Sequence, residues 1–393
     1  MAAFELVADP RAFRRAADAL SCGRGPFAVD TERASNFRYD DRAFLVQVYR
    51  RDAGTFLIAP EGHRDAVKDI FAPVLGGGEW VLHAAGEDLP SLGALGLYPG
   101  AVFDTELAGR LAGLERTNLA AVVREFTGVE LQKGHGREDW SQVPLPDAWL
   151  QYAALDVAYL LDVAEALTEY LDRAGKLDAL RQELDHVVDT HGPHNRPTPK
   201  TWRDLKGVSR LRQPESLAVA QALWERRDEI AFAADASPHS VLPGSVIIAI
   251  AASLPATPRE LAAIKGFPAR RRGETGRWFD VVSQAYSTPR EQWPLPHDPP
   301  PGPPSKSAWQ RHHPQSWERL VAVREALASH AARLDIAPEV LLTPAVLRQV
   351  VWELSTHQLS ETDTVARALS HAGAREWQVA AVAPTIAARI RSM

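Results

Sequence analysis

The chain has 393 residues, 45% apolar and 24% charged, an ordinary globular composition, neither disordered nor membrane-like, that suggests two or three domains. No apolar run reaches the roughly 18 residues of a membrane span, the N-terminus lacks a signal-peptide pattern, and the single Cys22 excludes an intrachain disulfide and fits a reducing cytoplasm. The net charge of −6 hides an asymmetry, with 19 Lys and Arg against 31 Asp and Glu in residues 1–190 but 25 against 19 in residues 191–393; an acidic half attracts cations and a basic half polyanions, unless both merely solvate their surfaces.

"FAVDTE" (27–32), "RAFLVQVYR" (42–50), "GTFLIAP" (54–60) and "EWVLHA" (79–84) read as strands, the first three at hairpin-like spacing. "EDLPSLGALG" follows as a helix-like stretch. "TNLAAVVREFTG" has a Thr117–Asn118 start and a Gly128 stop, which is helix punctuation. Residues 146–175 form a long helical pattern, broken once at most and ending at Gly175. These elements make a mixed α/β domain over residues 1–190. "THGPHNRPTPK" (190–200) reads as a linker. Residues 201–290 are nearly all helical. Seven prolines within 294–304 mark an extended spacer over 291–309, and residues 310–393 are helical again. The second helical stretch repeats the first: a long amphipathic helix, an acid, an Ala-Pro or Ser-Pro turn and a short apolar helix. This is the pattern of an internal duplication.

Successive strand side chains alternate faces, so Asp30 and Glu32 point the same way. Two adjacent carboxylates repel each other unless something neutralises them, and hard cations such as Mg²⁺ or Mn²⁺ do so through oxygen ligands. The competing reading is a solvated turn after the strand. Asp88 follows a further apolar run at the start of a helix, where the helix dipole alone would also favour an acid. Tyr152 and Asp156 are four apart on an apolar helix, hence neighbours on one face. An acid among Leu155, Val157, Leu160 and Leu161 requires a partner or a cation.

Four acids and a tyrosine in this order, in "VDTE", "HAAGED" and "YAALD", resemble the DEDD exonucleases, and specifically the ribonuclease D family in its tyrosine branch. The histidine branch places His five residues before the last Asp; here that position is Gln151, with Tyr152 four before. The resemblance continues through "FDTELAGRLAG" and "KGHGREDWSQVPL". The first helical stretch resembles an HRDC domain, and the second resembles it more weakly. One departure is His83-Ala84-Ala85, where the family commonly has His-Asn-Ala.

The resemblance implies an RNase H-like sheet domain (1–190), an HRDC domain (201–290) and a second HRDC-like helical domain (310–393). It implies a two-metal 3′→5′ exoribonuclease, with Mg or Mn, trimming single-stranded RNA 3′ ends such as tRNA precursors and releasing nucleoside monophosphates. Asp30 would bridge the cations. Glu32 and Asp156 would hold the one that activates water, Asp88 would help hold the second through water, and Tyr152 would orient or help deprotonate that water. A monomer is expected. The rival readings are a DNA exonuclease and a catalytically silent nucleic-acid-binding scaffold.

Other residues carry weaker signals. Lys133, His135 and Arg137 in "KGHGRED" could meet phosphates or simply form a solvated loop. His83 could contact the terminal nucleotide or be a hydrogen-bonded core histidine. Asp104 reads as a helix N-cap. "ARRRGETGR" (269–277) is the densest basic run, and eight of the eleven tryptophans follow residue 200, as core anchors of the helical modules.

Overall fold

A computed structural model of the chain describes residues 3–131, 134–195, 198–296, 302–357 and 361–393. Six strands, β1 (Phe4–Val7), β2 (Arg24–Arg33), β3 (Ala43–Arg51), β4 (Gly54–Ile58), β5 (Glu79–Leu82) and β6 (Ala101–Asp104), form one sheet in the order β1-β4-β3-β2-β5-β6. The β2–β3 and β3–β4 pairs are antiparallel; β1–β4, β2–β5 and β5–β6 are parallel. β3 turns into β4 through Asp52, whose left-handed backbone (φ 67) is one that aspartate tolerates. The four strands read in the sequence are β2 to β5; β1 and β6 carry too short an apolar signal to stand out locally.

One sheet face is covered by α1 (Pro10–Cys22), α2 (Arg64–Leu75) and α3 (Ala85–Ala94), around Phe13, Phe71 and Trp80. After α4 (Thr105–Leu111) and α5 (Leu119–Thr127), the chain covers the other face with α6 (Asp147–Ala158) and α7 (Leu160–Arg173). The break between these last two falls at Tyr159, inside the long helical pattern. Val29 packs on the first face and Ala28 on the second, so the strand's period of two carries Asp30 and Glu32 to the α6 side. α5 is capped by Asn118 and stopped by left-handed Gly128, as its punctuation predicts. α8 (Leu177–His191) extends the domain beyond Gly175, into the stretch read as the start of the linker.

The first helical module comprises α9 (Pro214–Ala233), α10 (Pro238–Val241), α11 (Gly244–Ser253), α12 (Pro258–Ala262) and α13 (Glu274–Ser287) around its own core, with Trp278 at the centre. The second comprises α14 (Lys306–His312), α15 (Pro314–Leu334), α16 (Pro338–Leu341), α17 (Pro344–His357), α18 (Thr362–His371) and α19 (Glu376–Arg391). α14 begins inside the stretch read as a spacer. The second module's core is continuous with that under α7 and α8. The repeated pattern seen in the sequence is physical: a long helix, a left-handed Asp (Asp235, φ 44; Asp335, φ 50), and a four-residue helix opened by Pro238 or Pro338.

Both modules grip the sheet domain through that repeated turn. Asp235 takes a two-pronged bond from Arg42 (3.0 and 2.8 Å), and Ser237 N–H donates to Phe37 O. In the second module Lys176 Nζ donates to Asp335 O (2.7 Å) and Ala337 N–H to Arg110 O. A buried ion pair, Glu183 with Arg375, adds to the second contact, and Trp377 Nε1 donates to the same carboxylate (2.8 Å). No helix is long and apolar enough to cross a membrane, among the described residues.

Candidate active site

Asp30 and Glu32 leave the C-terminal end of β2 toward α6, and α6 presents Asp156 to them. One carboxylate oxygen from each of the three lies within 4.8 Å of the others. Glu32 and Asp156 are 7% and 8% exposed and Asp30 is half-buried. Asp88, 4% exposed in the first turn of α3, approaches from the other side of β2. It accepts a 2.6 Å bond from Thr31 Oγ1, the residue between Asp30 and Glu32 whose side chain alternates to that face. Asp88 stands beside the three acids rather than among them, yet its charge is felt by each.

Burial and mutual repulsion make these groups harder to ionise than ordinary carboxyls. Asp30 is raised well above the ordinary carboxyl range by burial and then by Asp88, Asp156 and Glu32. Glu32 is pushed up to about 9 by burial and then by Asp156 and Asp88. Asp156 rises to about 7 through burial, opposed by the neighbouring Tyr152 hydroxyl. Asp88 rises to about 6 through burial, opposed by Thr31 and the Arg33 guanidinium. The Tyr152 phenol is raised by burial and then by Asp156 and Glu32, so it stays protonated.

The donor set fits a hard divalent cation: all ligands are oxygens, converging and held against one another at an electrostatic cost that a cation removes. Gln47 supports the same reading, because both polar atoms of its fully buried amide lack a partner and it lies opposite Asp30 in the β2–β3 register. The sign of the linkage gives a test. An acid with a raised folded pKa binds more protons folded than unfolded, so its contribution to stability falls as pH rises. The cation-free protein is expected to lose melting temperature as pH climbs from the ordinary carboxyl value of about 4 toward about 9. Mg²⁺ or Mn²⁺ should raise the melting temperature by more at each step. A cation-induced shift independent of pH would contradict this.

Tyr152 stands one turn before Asp156 on α6 and is held by the 134–140 loop. A methyl group at Gly134 would overlap its ring, His135 meets it edge-on at 5.7 Å, and Trp140 Nε1 donates to His135 O (3.2 Å). His135 therefore packs on Tyr152 and Trp149, with its Nδ1 3.7 Å from Glu138. Arg137 is exposed and lines a polar cleft beside Glu32, with Arg33, Ser35 and Phe37. Lys133 lies outside the described residues. A larger cavity of about 650 Å³, between α2, α3 and the end of α8, contains none of the acids.

His83 follows β5 directly and is half-buried, with Nδ1 2.9 Å from Thr105 Oγ1, and burial pushes it down to about 4, so the ring is neutral. Asp104 caps α4 through Glu106 N and Leu107 N and also takes Ala84 N and Ala85 N (3.0 and 2.9 Å). It thereby fixes the turn that places Asp88. Ala84 in that turn is left-handed (φ 58), a conformation that asparagine tolerates and alanine resists. This accounts for the asparagine expected there. Ala84→Asn is expected to stabilise the protein by about 1 kcal/mol, read from urea unfolding; an unchanged midpoint would contradict it.

Sequence reasoning did not single out Arg33 or Gln47. Arg33 donates to Glu87 O, with Asp88 3.7 Å and Asp41 3.4 Å away. Its signal was a basic residue directly after "VDTE". For Gln47 the signal was the one amide inside an otherwise apolar run.

A family profile described as 3′-5′ exonuclease matches residues 4–172, HRDC domain matches 216–281, and 3′ to 5′ exonuclease C-terminal domain matches 302–390. Ribonuclease D of Pseudomonas paraeruginosa is 30% identical over 279 residues, 69% of each chain. Ribonuclease D of Gluconacetobacter diazotrophicus is 34% identical over 189 residues, and the chain spans about half of that relative's length (47%). Among solved structures, a protein from Bifidobacterium adolescentis superposes with a TM-score of 0.84 at 32% identity, over 98% of this chain and 99% of that one. Escherichia coli RNase D shares the fold, with a TM-score of 0.72 at 21% identity over 99% of both. Spanning the sheet domain and both helical modules, these matches establish that the chain belongs to the ribonuclease D family.

Proposed function

We propose that the protein is a metal-dependent 3′→5′ exoribonuclease that trims single-stranded RNA ends, such as those of tRNA precursors, as a monomer in the cytoplasm. The observation that carries this is the convergence of Asp30, Glu32 and Asp156 within 4.8 Å, with Tyr152 one turn before Asp156 on α6. In the reaction, water oxygen bonds to the terminal phosphorus and the bond to the 3′-oxygen of the preceding nucleotide breaks. That oxygen takes up a proton, and a nucleoside 5′-monophosphate leaves.

Asp30, Glu32 and Asp156 would hold two cations, Mg or Mn, with Asp88 assisting. When bound, such a pair stabilises the attacking and leaving oxygens of an in-line displacement. Tyr152, kept protonated, orients the attacking water through its hydroxyl rather than acting as a base. Arg33 and Arg137 in the polar cleft offer guanidinium groups to phosphates. Phe37, 44% exposed on the cleft wall, offers a face on which a base can stack. The exposed, unpaired Cys22 suits a reducing compartment.

The test uses 5′-labelled RNA and a matched DNA strand, with Mg²⁺, Mn²⁺ or chelator. The reading expects a cation-dependent ladder of RNA shortened from the 3′ end. RNA bound but never shortened under any cation would replace it with a silent scaffold, and faster shortening of DNA would reassign the substrate.

A further inference from the structure

Gln47 lies in the middle of β3, directly opposite Asp30 in the antiparallel pair. Residues opposite each other in such a pair share a face, with Cβ atoms about 5 Å apart. Gln47 is 0% exposed, and neither its amide nitrogen nor its oxygen has a hydrogen-bond partner. A buried amide left unpaired costs about 1–3 kcal/mol, and the neighbours on its strand face, Leu45 and Tyr49, pack in the apolar layer. For stability alone, a leucine or methionine would serve better at this position.

The surrounding acids indicate what the amide is for. A carboxylate that ligates a cation is normally fixed by a hydrogen bond from a neighbouring group. Thr31 fixes Asp88 in this way at 2.6 Å. Asp30 has no such side-chain donor among the hydrogen bonds of the described residues, and the residue opposite it in the β2–β3 register carries the orphaned amide of Gln47. We propose that Gln47 is a positioning residue of the cation site, whose Nε2–H donates to the Asp30 carboxylate when a cation is bound and fixes the direction of its oxygens. This rests on the metal-dependent reading above. Gln47 itself touches neither RNA nor the reacting atoms.

The experiment measures Mn²⁺ binding to the whole chain by electron paramagnetic resonance, without RNA, alongside melting of the cation-free protein. Wild type is compared with Gln47→Met, which keeps the length of the side chain, and Gln47→Leu. The variants are expected to melt at the same temperature as wild type or higher, because a buried unpaired amide is gone, and to bind Mn²⁺ about tenfold or more weakly. Equal affinity in wild type and a folded Gln47→Met would overturn the positioning role and leave the cation site standing. Wild type that binds no Mn²⁺ would overturn the cation site and Gln47's role with it.

Discussion

Asp30→Ala is expected to lower the rate of RNA shortening by at least about a thousand-fold, since the charge stabilisation lost with a bound cation is several kcal/mol and each 1.36 kcal/mol is tenfold in rate. The expectation follows from where Asp30 stands. It is the acid whose charge interacts with Asp88, Asp156 and Glu32 alike, and its carboxylate oxygen converges with those of Glu32 and Asp156. Its removal should not unfold the chain. The carboxyl is held at a cost in the cation-free state, so the variant should melt no earlier than wild type when chelator is present. Loss of activity together with retained or raised cation-free stability distinguishes a missing ligand from a damaged fold. Near-wild-type turnover by Asp30→Ala would exclude the acids from the chemistry.

Tyr152→Phe is expected to slow turnover by about a hundred-fold, the lower end of what a positioned proton-handling group contributes, with little change in KM. Phenylalanine keeps the ring that packs against Gly134 and His135 and removes only the hydroxyl. In the proposed mechanism that hydroxyl orients water, and in the cation-free site it lowers the Asp156 pKa from where burial would put it. Losing it makes Asp156 harder to ionise, so the acidic limb of the rate profile should move to higher pH. A variant with an unchanged profile and equal losses in kcat and affinity would assign Tyr152 to packing alone.

Much of the site was legible because its spacing is local. Asp30 and Glu32 share a face through the strand's period, and Tyr152 and Asp156 through the helix's, so neighbouring side chains could be assigned without knowing the fold. Caps were legible for the same reason, as at Asn118, Gly128 and Asp104. What stayed hidden depends on distant partners. β1 and β6 are strands because β4 and β5 pair with them in parallel. α8 has few buried residues of its own and is held by the second helical module through Glu183, Arg375 and Trp377. Arg33 and Gln47 read as an ordinary cation and an ordinary amide until the sheet register set them beside Asp88 and Asp30. The second grip of Asp104, on the Ala84–Ala85 turn, likewise needs the β5–β6 pairing.

The central claim is that these carboxylates hold cations against the phosphate being cleaved. The most direct measurement replaces one non-bridging oxygen of the terminal phosphodiester with sulfur and compares each stereoisomer in Mg²⁺, Mn²⁺ and Cd²⁺. Sulfur binds Mg²⁺ poorly and softer metals well. One stereoisomer should be cleaved slowly in Mg²⁺ and recover in Mn²⁺ or Cd²⁺, and Asp30→Ala should show no recovery. Equal slowing of both stereoisomers, with no metal restoring either, would contradict direct contact between cation and phosphate.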